Sequence, residues 1–435
     1  MRELQIEPER NGKEVFMKQT DRRLAGNITW NTVGSMFWLG CQWLITVLVV
    51  RLSGGNYTDA GILSLAMSFT NIFAILALFN VRNYQVSDTT DVYSSGEYVA
   101  HRLMTCSVAI LLCLLATVIT GYPIYTAACI LAYMLLKSVE TFSDVLQGIA
   151  QKKWRLDIAG KSCLIRGVLL VLSFCLSFLW TQDLLIAILS MALTGLVALL
   201  IYDVRAVRRI DRFSMRVKPI RLWKLSLICL PMLGYGFFVQ SISPIVKSVL
   251  ESYHGEESLG YYGSVTTIAV LVQSFTFMIF TPLVGVFDAA YRQQDRKKMK
   301  KLLLVLLGVL SGVTLVALLA VALLGEFAMV LIFGEEIREY VYLLYPTIIA
   351  SCLTALVWLM GMILVVMRDT KTLLIGAFVG WLIGVGMTLL LIPSMKFEGA
   401  NLSMIVPFAV IALIYLVRFA CYLFHTGSQA ETLPE

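Results

Sequence analysis

The chain has 435 residues, of which 58% are hydrophobic and only 14% are charged, and its formal net charge is +7. Soluble globular proteins carry about 25% charged residues, so this composition excludes an ordinary soluble domain and predicts a polytopic helical membrane protein. The nine cysteines lie inside apolar runs without paired spacing, which excludes a disulfide framework and predicts neither a metal nor another cofactor.

Twelve apolar runs of about twenty residues are each predicted to cross the bilayer as a helix. No cleavable signal peptide precedes them, because residues 1–26 lack an apolar core. The predicted spans are residues 28–50, 59–79, 103–121, 123–146, 158–180, 184–202, 225–248, 261–285, 302–324, 341–367, 373–393 and 400–423. The acidic segment 325–340 is predicted to be a short external helix at the membrane interface.

The distribution of Lys and Arg supports this count. If the N-terminus is cytoplasmic, the outer side holds only Arg51, Arg338 and Lys396, and the spans hold four more cations. The rest of the 35 Lys and Arg residues fall on the inner side, as the positive-inside rule requires. One missed or falsely assigned helix would place every downstream segment on the opposite side of the membrane and destroy this distribution. Both termini are therefore predicted to be cytoplasmic.

The basic segment 203–224 divides the spans into six and six. The predicted domains are a cytoplasmic tail (1–27), a six-helix bundle (28–202), the linker (203–224), a second six-helix bundle (225–424) and a cytoplasmic tail (425–435). The linker's arginines are explained by topology and by attraction to anionic lipid, and nucleic-acid binding is not expected. Faint similarity between the halves suggests an internal repeat with a central path between them.

Spans 4 and 5 carry five ionisable residues, which are Lys137, Glu140, Asp144, Lys161 and Arg166. A charge at the centre of a membrane helix costs about 2.5–3.5 kcal/mol on insertion scales, so such residues normally face a bundle interior or a watery cavity. Residues 137, 140 and 144 share one face of a helix that turns by about 100° per residue. We expect Lys161 or Arg166 to face Glu140 or Asp144, and the other to face a cavity. The alternative is that all five are mutually neutralised or lie at helix ends.

Histidine-based proton relays are disfavoured, because His101, His254 and His425 fall at predicted loops or helix ends. The sequence also lacks a P-loop, an H-E-x-x-H motif and a long external loop. An ATP-driven pump would need a separate motor subunit, and the chain is not expected to be an enzyme.

Two stretches carry a resemblance to a known family. One is G-N-I-T-W-N-T-V-G-S at 26–35, followed by R-L-S-G-G at 51–55 and D-A-G at 59–61; the other is R-N-Y-Q-V-S-D at 82–88. Together with the twelve spans and the basic middle linker, they resemble the Wzx-type polysaccharide flippases of Gram-positive bacteria, in the multidrug/oligosaccharidyl-lipid/polysaccharide exporter superfamily. The resemblance covers essentially the whole chain.

The resemblance implies two six-helix bundles around a central cavity, in the bacterial plasma membrane. It implies alternating access that moves an undecaprenyl-diphosphate-linked oligosaccharide from the inner to the outer leaflet, without covalent chemistry. The implied partners are this lipid-linked substrate, membrane lipids, and glycosyltransferases and a polymerase of the same pathway. We expect a monomer.

Related flippases line the cavity with cations, but span 1 has no arginine in its core here. The substrate-binding role would therefore fall to Lys137, Lys161, Arg166 and Lys247, with Arg82 at the inner mouth and Arg51 at the outer end of span 1. Glu140 and Asp144 would pair with these cations or bind a coupling ion. Arg166→Ala and Lys161→Ala are both expected to abolish transport.

Two other functions remain open on sequence alone. A cation-coupled drug or metabolite antiporter of the same superfamily would favour acidic cavity residues, whereas four cations lie within the spans against Glu140 and Asp144. A membrane glycan polymerase or ligase would favour longer external loops.

Overall fold

A computed structural model describes the backbone of residues 7–88, 91–211, 214 and 217–424, and the side chains of 26–86, 88, 91–211, 214, 217–274, 276 and 285–423. Every regular element in this part of the chain is helical, which confirms the predicted all-α class. The predicted C-terminal tail and His425, and the side chains of most of the predicted N-terminal tail, lie outside the described residues.

The helices follow one another with short connections. In chain order they are α1 (Glu7–Leu52), α2 (Tyr57–Leu78), α3 (Val81–Ser87), α4 (Ser95–Thr120), α5 (Ile124–Lys152), α6 (Leu156–Thr181), α7 (Leu184–Ala198), a π-helical turn (Leu199–Asp203), α8 (Val204–Ile210), α9 (Pro219–Arg292), α10 (Arg296–Phe333), a 3-10 segment (Glu335–Leu343), α11 (Leu344–Val366) and α12 (Thr370–Phe424).

The two longest helices, α9 and α12, are each interrupted once. The backbone leaves the helical region at Gly255 in α9, with φ 83°, and at Lys396 in α12, with φ 47°. Nine helical stretches in the described part of the chain are long and apolar enough to cross a membrane, and two of them run through these breaks. The chain is therefore a multi-pass membrane protein, and the count of twelve spans stays a prediction.

The chain forms two compact units, each with its own core. Unit 1 contains α1 up to Leu48 and the chain from Phe73 to Leu230, and unit 2 contains Val49–Ile72 and the chain from Pro231 onward. Val81, Val145 and Leu225 belong to the buried cluster of unit 1. The larger cluster of unit 2 joins side chains of α9, α10, α11 and α12.

Helix α4 begins earlier than the sequence analysis placed it. The Ser94 hydroxyl accepts a hydrogen bond from the Glu97 N–H, and the Glu97 carboxylate accepts one from the Ser94 N–H, which is a capping box. The helix therefore starts at Ser95, not near 103. This corrects the expectation for His101, which is buried inside α4 and within hydrogen-bonding distance of the Ser226 hydroxyl, 2.8 Å away.

Two further boundaries differ from expectation. The helical path of α7 continues through the π-helical turn into α8 and ends at Ile210. The helix continues past residue 202 because the arginines of α8 lie on its exposed side, while Val207 is buried on the inner side. The predicted external helix at 325–340 is instead the end of α10 followed by the 3-10 segment. Gly334, with φ 105°, separates the two.

In unit 1, α1 and α6 approach so closely that their glycines nearly touch. A Cβ placed on Gly34 would lie 2.1 Å from the carbonyl oxygen of Gly160, and a Cβ on Gly160 would lie 2.0 Å from that of Trp30. Small residues allow this approach between membrane helices. The contact brings the polar residues of α6 next to the aromatic side chains of α1.

Gly34→Ala is expected to destabilise the purified protein by about 1–3 kcal/mol, since a methyl group there forces the two backbones apart. Gly40→Ala is the matched control on the same helix, because a Cβ at Gly40 meets nothing within 4 Å. Because alanine has a higher helix propensity than glycine, the stability of the control should be unchanged or higher by up to about 1 kcal/mol. Thermal unfolding in detergent measures both variants, and equal melting temperatures would contradict the close contact.

Candidate functional site

The charged face of α5 faces the other helices of unit 1. Lys137 Nζ lies 2.9 Å from Glu140 Oε2, one helical turn away. Glu140 Oε1 also accepts a hydrogen bond of 3.3 Å from the Gln42 side-chain amide of α1. The sequence thus placed Lys137 and Glu140 on one face correctly. Their pairing leaves this end of the face locally neutral.

One turn further along α5, Asp144 pairs with two arginines. Arg82 Nη1 lies 2.8 Å from Asp144 Oδ1, and Arg102 Nη2 lies 3.0 Å from Asp144 Oδ2. Arg82 also donates to the Gln151 side-chain oxygen, at 3.0 and 3.3 Å. The predicted inner-mouth residue Arg82 therefore contacts the α5 face directly. Two cations share one carboxylate, so the group carries a net positive charge.

Arg102 was missed by the sequence analysis, which placed it in a loop before span 3. Its side chain is only 1% exposed and also donates to the Ala77 carbonyl oxygen, 2.6 Å away. The capping box at Ser94 and Glu97 was the available signal, since it moves the start of the helix and places Arg102 within its first two turns.

Arg166 is the most enclosed of the predicted cations. The residue is 7% exposed, and its guanidinium carbon lies 4.9 Å from the centre of the Trp38 ring of α1. Its Nε finds no acceptor, and no carboxylate oxygen among the described residues lies within ion-pairing distance of it. Arg166 and Glu140 line the same small cavity, with Trp38 and apolar side chains of α5, α6 and α7. Arg166 Nη2 lies 3.9 Å from Cys163 Sγ, a weak acceptor, so this buried guanidinium has hydrogen-bond donors without a strong acceptor.

Lys161 has a different environment. Its Nζ lies 3.6 Å from Asp157 Oδ2 on the same helix and 5.5 Å from the centre of the Trp30 ring, and its side chain is 45% exposed. Lys161 therefore does not pair with Glu140 or Asp144 in the described contacts, whereas Arg166 shares a small cavity with Glu140 without an ion pair. Asp157, four residues before Lys161, is the nearer acidic partner because helix geometry places i and i+4 together.

The two remaining predicted cations belong to unit 2. Arg51 donates hydrogen bonds to the carbonyl oxygens of Ile332, Leu331 and Val330, at 2.7 Å for Ile332 and 3.2 Å for Val330. The last carbonyls of a helix lack intrahelical partners, so a cation there caps α10. Lys247 is half-buried in α9, and the described residues give it no ion pair or hydrogen bond. The structure thus assigns Arg51 a capping contact within unit 2.

The R-N-Y-Q-V-S-D run spans α3, and its side chains hold α3 against α5. The Gln85 amide donates to the Val145 carbonyl oxygen at 3.4 Å. A Cβ on Gly148 would lie 2.3 Å from the Gln85 side-chain oxygen, so only glycine permits this approach. The run that carries the family resemblance therefore positions Arg82 over Asp144.

Asp88 ends the run as the centre of a hydrogen-bond network. Its carboxylate accepts from the N–H groups of Val92 and Tyr93, at 3.1 and 3.2 Å, and from the Tyr98 hydroxyl, at 2.9 Å. Lys152 of α5 lies 3.6 Å away. Burial alone would raise the pKa of this carboxyl, but the hydrogen bonds and Lys152 outweigh burial and hold its pKa below the usual value.

This depressed pKa predicts a pH dependence of stability. The contribution of Asp88 is complete above its unfolded pKa of about 3.8 and is lost as the pH falls further towards its lower folded pKa. Asp88→Asn should remove this part of the acid destabilisation, measured as the difference in unfolding midpoint between wild type and variant from about pH 6 to pH 3. Asp91→Asn, at an exposed neighbouring carboxylate, is the control, and an equal change in both variants would contradict the role of the buried network.

Comparison with known proteins adds one sequence relative. The chain is 24% identical over 304 residues to a Staphylococcus aureus protein described as the capsular polysaccharide biosynthesis protein CapF, a match that covers 69% of this chain and 74% of that protein. No protein-family model matches the chain.

Solved structures share the fold over nearly the whole chain. An inward-facing multidrug resistance MATE family transporter of the MOP superfamily matches with a TM-score of 0.72 at 13% identity, covering 91% of this chain and 98% of that one. The lipid II flippase MurJ, in an inward closed conformation, matches with a TM-score of 0.69 at 11% identity, covering 89% and 87%. The chain thus shares its fold with these membrane transporters and with this flippase, in agreement with the all-α membrane fold that the resemblance implied.

Proposed function

We propose that this chain moves an undecaprenyl-diphosphate-linked oligosaccharide from the inner to the outer leaflet of the bacterial plasma membrane by alternating access, for synthesis of a cell-surface polysaccharide. The relative's name places that protein in capsular polysaccharide biosynthesis, and one structural neighbour is a flippase for lipid II. In this proposal both termini are cytoplasmic, the two units are the moving parts, and the glycosyltransferases and polymerase of the pathway supply and consume the cargo.

The observation that carries the proposal is the placement of three arginines of unit 1 at and beside the α5 face. Arg82 and Arg102 share Asp144, and Arg166 has no carboxylate within ion-pairing distance among the described residues. A diphosphate in a low-dielectric site needs cationic hydrogen-bond donors, and guanidinium groups provide them in a fork that matches phosphate oxygens. A cationic cargo would instead meet repulsion from these groups.

The shared carboxylate also gives Arg82 freedom to act. Its side chain is 29% exposed, whereas that of Arg102 is enclosed. If Arg82 turned from Asp144 towards a phosphate, Arg102 would still neutralise Asp144, so no buried carboxylate would be left without a partner. In this proposal Arg82 captures the diphosphate, Arg166 holds it, and the Lys137–Glu140 pair supplies the polar wall beside them.

A drug antiporter remains the competing function, because several structural neighbours are multidrug transporters by name. The charges on the α5 face favour an anionic cargo over a cationic drug, since the two carboxylates of α5, Glu140 and Asp144, are both already engaged by cations.

The proposal is tested with purified protein in proteoliposomes that contain a fluorescent undecaprenyl-diphosphate-linked oligosaccharide in both leaflets. A membrane-impermeant quencher reports the fraction accessible outside. We expect the protein to move the inner pool outward, whereas protein-free vesicles should not. A cationic dye loaded into the same vesicles should not be exported. Dye export without movement of the lipid would establish the antiporter and overturn the proposal.

A further inference from the structure

Asp203 is a buried carboxylate that no function described so far uses. It ends the π-helical turn Leu199–Asp203, and its residue is 2% exposed. A π-helical turn inserts an extra residue into the helical path and changes which side chains face inward, and such turns are frequent at functional sites. The turn thus directs a carboxylate into the interior of unit 1 at the point where the sequence indicated the start of a surface linker.

The surroundings of Asp203 come from α5 and α6. Its Oδ2 accepts a hydrogen bond from the Ser143 hydroxyl, and the buried Ser162 hydroxyl lies beside the same carboxylate. Arg166 lies one turn beyond Ser162 on the same face of α6, which places it near enough to Asp203 for electrostatic compensation, yet no ion pair joins the two among the described contacts. The two opposite charges therefore compensate each other without direct contact. The carboxylate accepts a hydrogen bond from Ser143, and the guanidinium lies over the Trp38 ring.

This separation has a chemical consequence. A carboxylate in direct contact with arginine occupies two of its donors in a fork-to-fork pair. A buried guanidinium without any nearby negative charge would be strongly destabilising, because its desolvation would not be compensated. Asp203, hydrogen-bonded to Ser143, supplies the compensating charge while leaving the donors of Arg166 free of a carboxylate; Nη2 of Arg166 contacts only the weak acceptor Cys163 Sγ, at 3.9 Å.

We propose that Asp203 is the positioning residue of Arg166: it makes the buried guanidinium tolerable and keeps its donors available for the diphosphate. This inference rests on the proposed function. Asp203 itself does not touch the cargo. Its loss should act through Arg166 alone.

A double-mutant cycle tests this. Undecaprenyl diphosphate is titrated onto the purified full-length protein in nanodiscs, with wild type, Asp203→Asn, Arg166→Gln and the double variant. We expect Asp203→Asn to weaken binding about tenfold and to cause no further loss in the Arg166→Gln background. Additive effects in the double variant, or unchanged or tighter binding in Asp203→Asn, would overturn the inference.

Ser143→Ala gives a second test that keeps every charge and leaves only a small void. Without its tether, Asp203 is free to move onto Arg166, so binding should weaken several-fold in the wild-type background and not in the Asp203→Asn background. Ser138→Ala, at another hydroxyl of α5 that donates only to the helix backbone, is the matched control and should bind as wild type. Wild-type affinity in Ser143→Ala would overturn the tether and the positioning role with it.

The outcomes separate this inference from the function on which it rests. If Arg166→Gln binds undecaprenyl diphosphate as tightly as wild type, the proposed cation site fails and Asp203 has nothing to position. If Arg166→Gln loses binding while the cycle is additive, the cation site stands and only the role of Asp203 is removed.

Discussion

Arg166→Gln is expected to abolish movement of the lipid-linked oligosaccharide while leaving the amount of protein in the membrane normal. Each charge-assisted hydrogen bond is worth about 1.5–3 kcal/mol, and every 1.4 kcal/mol is about a factor of ten, so losing two such bonds to a phosphate lowers transport by roughly a hundredfold or more. Gln retains polarity and much of the length of Arg, so most of the space that the arginine side chain occupies beside Trp38 stays filled. The change therefore removes charge and donors rather than packing.

Controls separate charge from geometry. Arg292→Gln removes an exposed arginine paired with Asp288 on the same helix, and should transport as wild type. Arg166→Lys keeps the charge but loses the planar fork, so transport should fall between wild type and Arg166→Gln. The quencher assay in proteoliposomes measures all three variants. Wild-type transport by Arg166→Gln would remove this residue from the site.

Stability must be measured beside transport, because Arg166→Gln leaves Asp203 without its compensating charge. The purified single variant is expected to unfold at a lower temperature than wild type. Arg166→Gln with Asp203→Asn should recover that loss, since both charges are gone, yet should remain inactive. An inactive but stable double variant excludes misfolding as the cause.

The structure also revises the expectation for Lys161→Ala. Loss of transport was expected equally for Lys161→Ala and Arg166→Ala, but the Lys161 side chain is 45% exposed and already paired with Asp157. Its removal is now expected to reduce transport only a few-fold, through weaker attraction of the cargo, because exposed ion pairs contribute about 0–1 kcal/mol. Loss of transport as complete as in Arg166→Gln would restore the original expectation.

Local features of the structure were readable from the sequence, and long-range partners were not. Helical periodicity placed Lys137, Glu140 and Asp144 on one face of α5, because that property depends only on spacing. Which cation would reach Asp144 depended on the boundary of α4, where a capping box eight residues upstream decided between loop and helix for Arg102. Helix ends are the least reliable part of such a prediction.

Asp203 and Gly34 show two further limits. Asp203 follows an apolar run and precedes arginines, so polarity alone assigned it to the linker, whereas a π-helical turn that no periodicity reveals turns it inward. Glycines at 34 and 160 are far apart in sequence, and their backbone contact arises only when α1 and α6 pack. Both features concern how helices meet, which a single sequence does not encode by spacing.

Asp144→Asn is expected to have the largest effect on stability in unit 1. Arg102 would keep only neutral acceptors, the Ala77 carbonyl oxygen and the introduced amide oxygen, and its Nε already lacks an acceptor. Removing one partner of a buried ion pair typically costs about 3–5 kcal/mol, because the other charge stays buried. The purified variant should show a lower unfolding temperature and a reduced yield.

Arg82→Gln provides the contrast. Asp144 keeps its 3.0 Å contact with Arg102, and the Arg82 side chain is partly exposed, so the stability cost should stay below about 1 kcal/mol. If Arg82 captures the diphosphate, transport should nevertheless fall about tenfold, the loss expected for one charge-assisted hydrogen bond. The two partners of one ion pair are thus expected to behave differently when replaced. Asp144→Asn should mainly lower stability, whereas Arg82→Gln should mainly lower transport.

A double variant tests whether Asp144 neutralises Arg102. Asp144→Asn combined with Arg102→Met removes both enclosed charges, so it should regain most of the stability that Asp144→Asn loses. Thermal unfolding in detergent, followed by tryptophan fluorescence, measures the three variants. If Asp144→Asn is as stable as wild type, Arg102 is neutralised by something other than Asp144. The two arginines would then not share one carboxylate, and Arg82 could not leave Asp144 without exposing an unpaired buried charge.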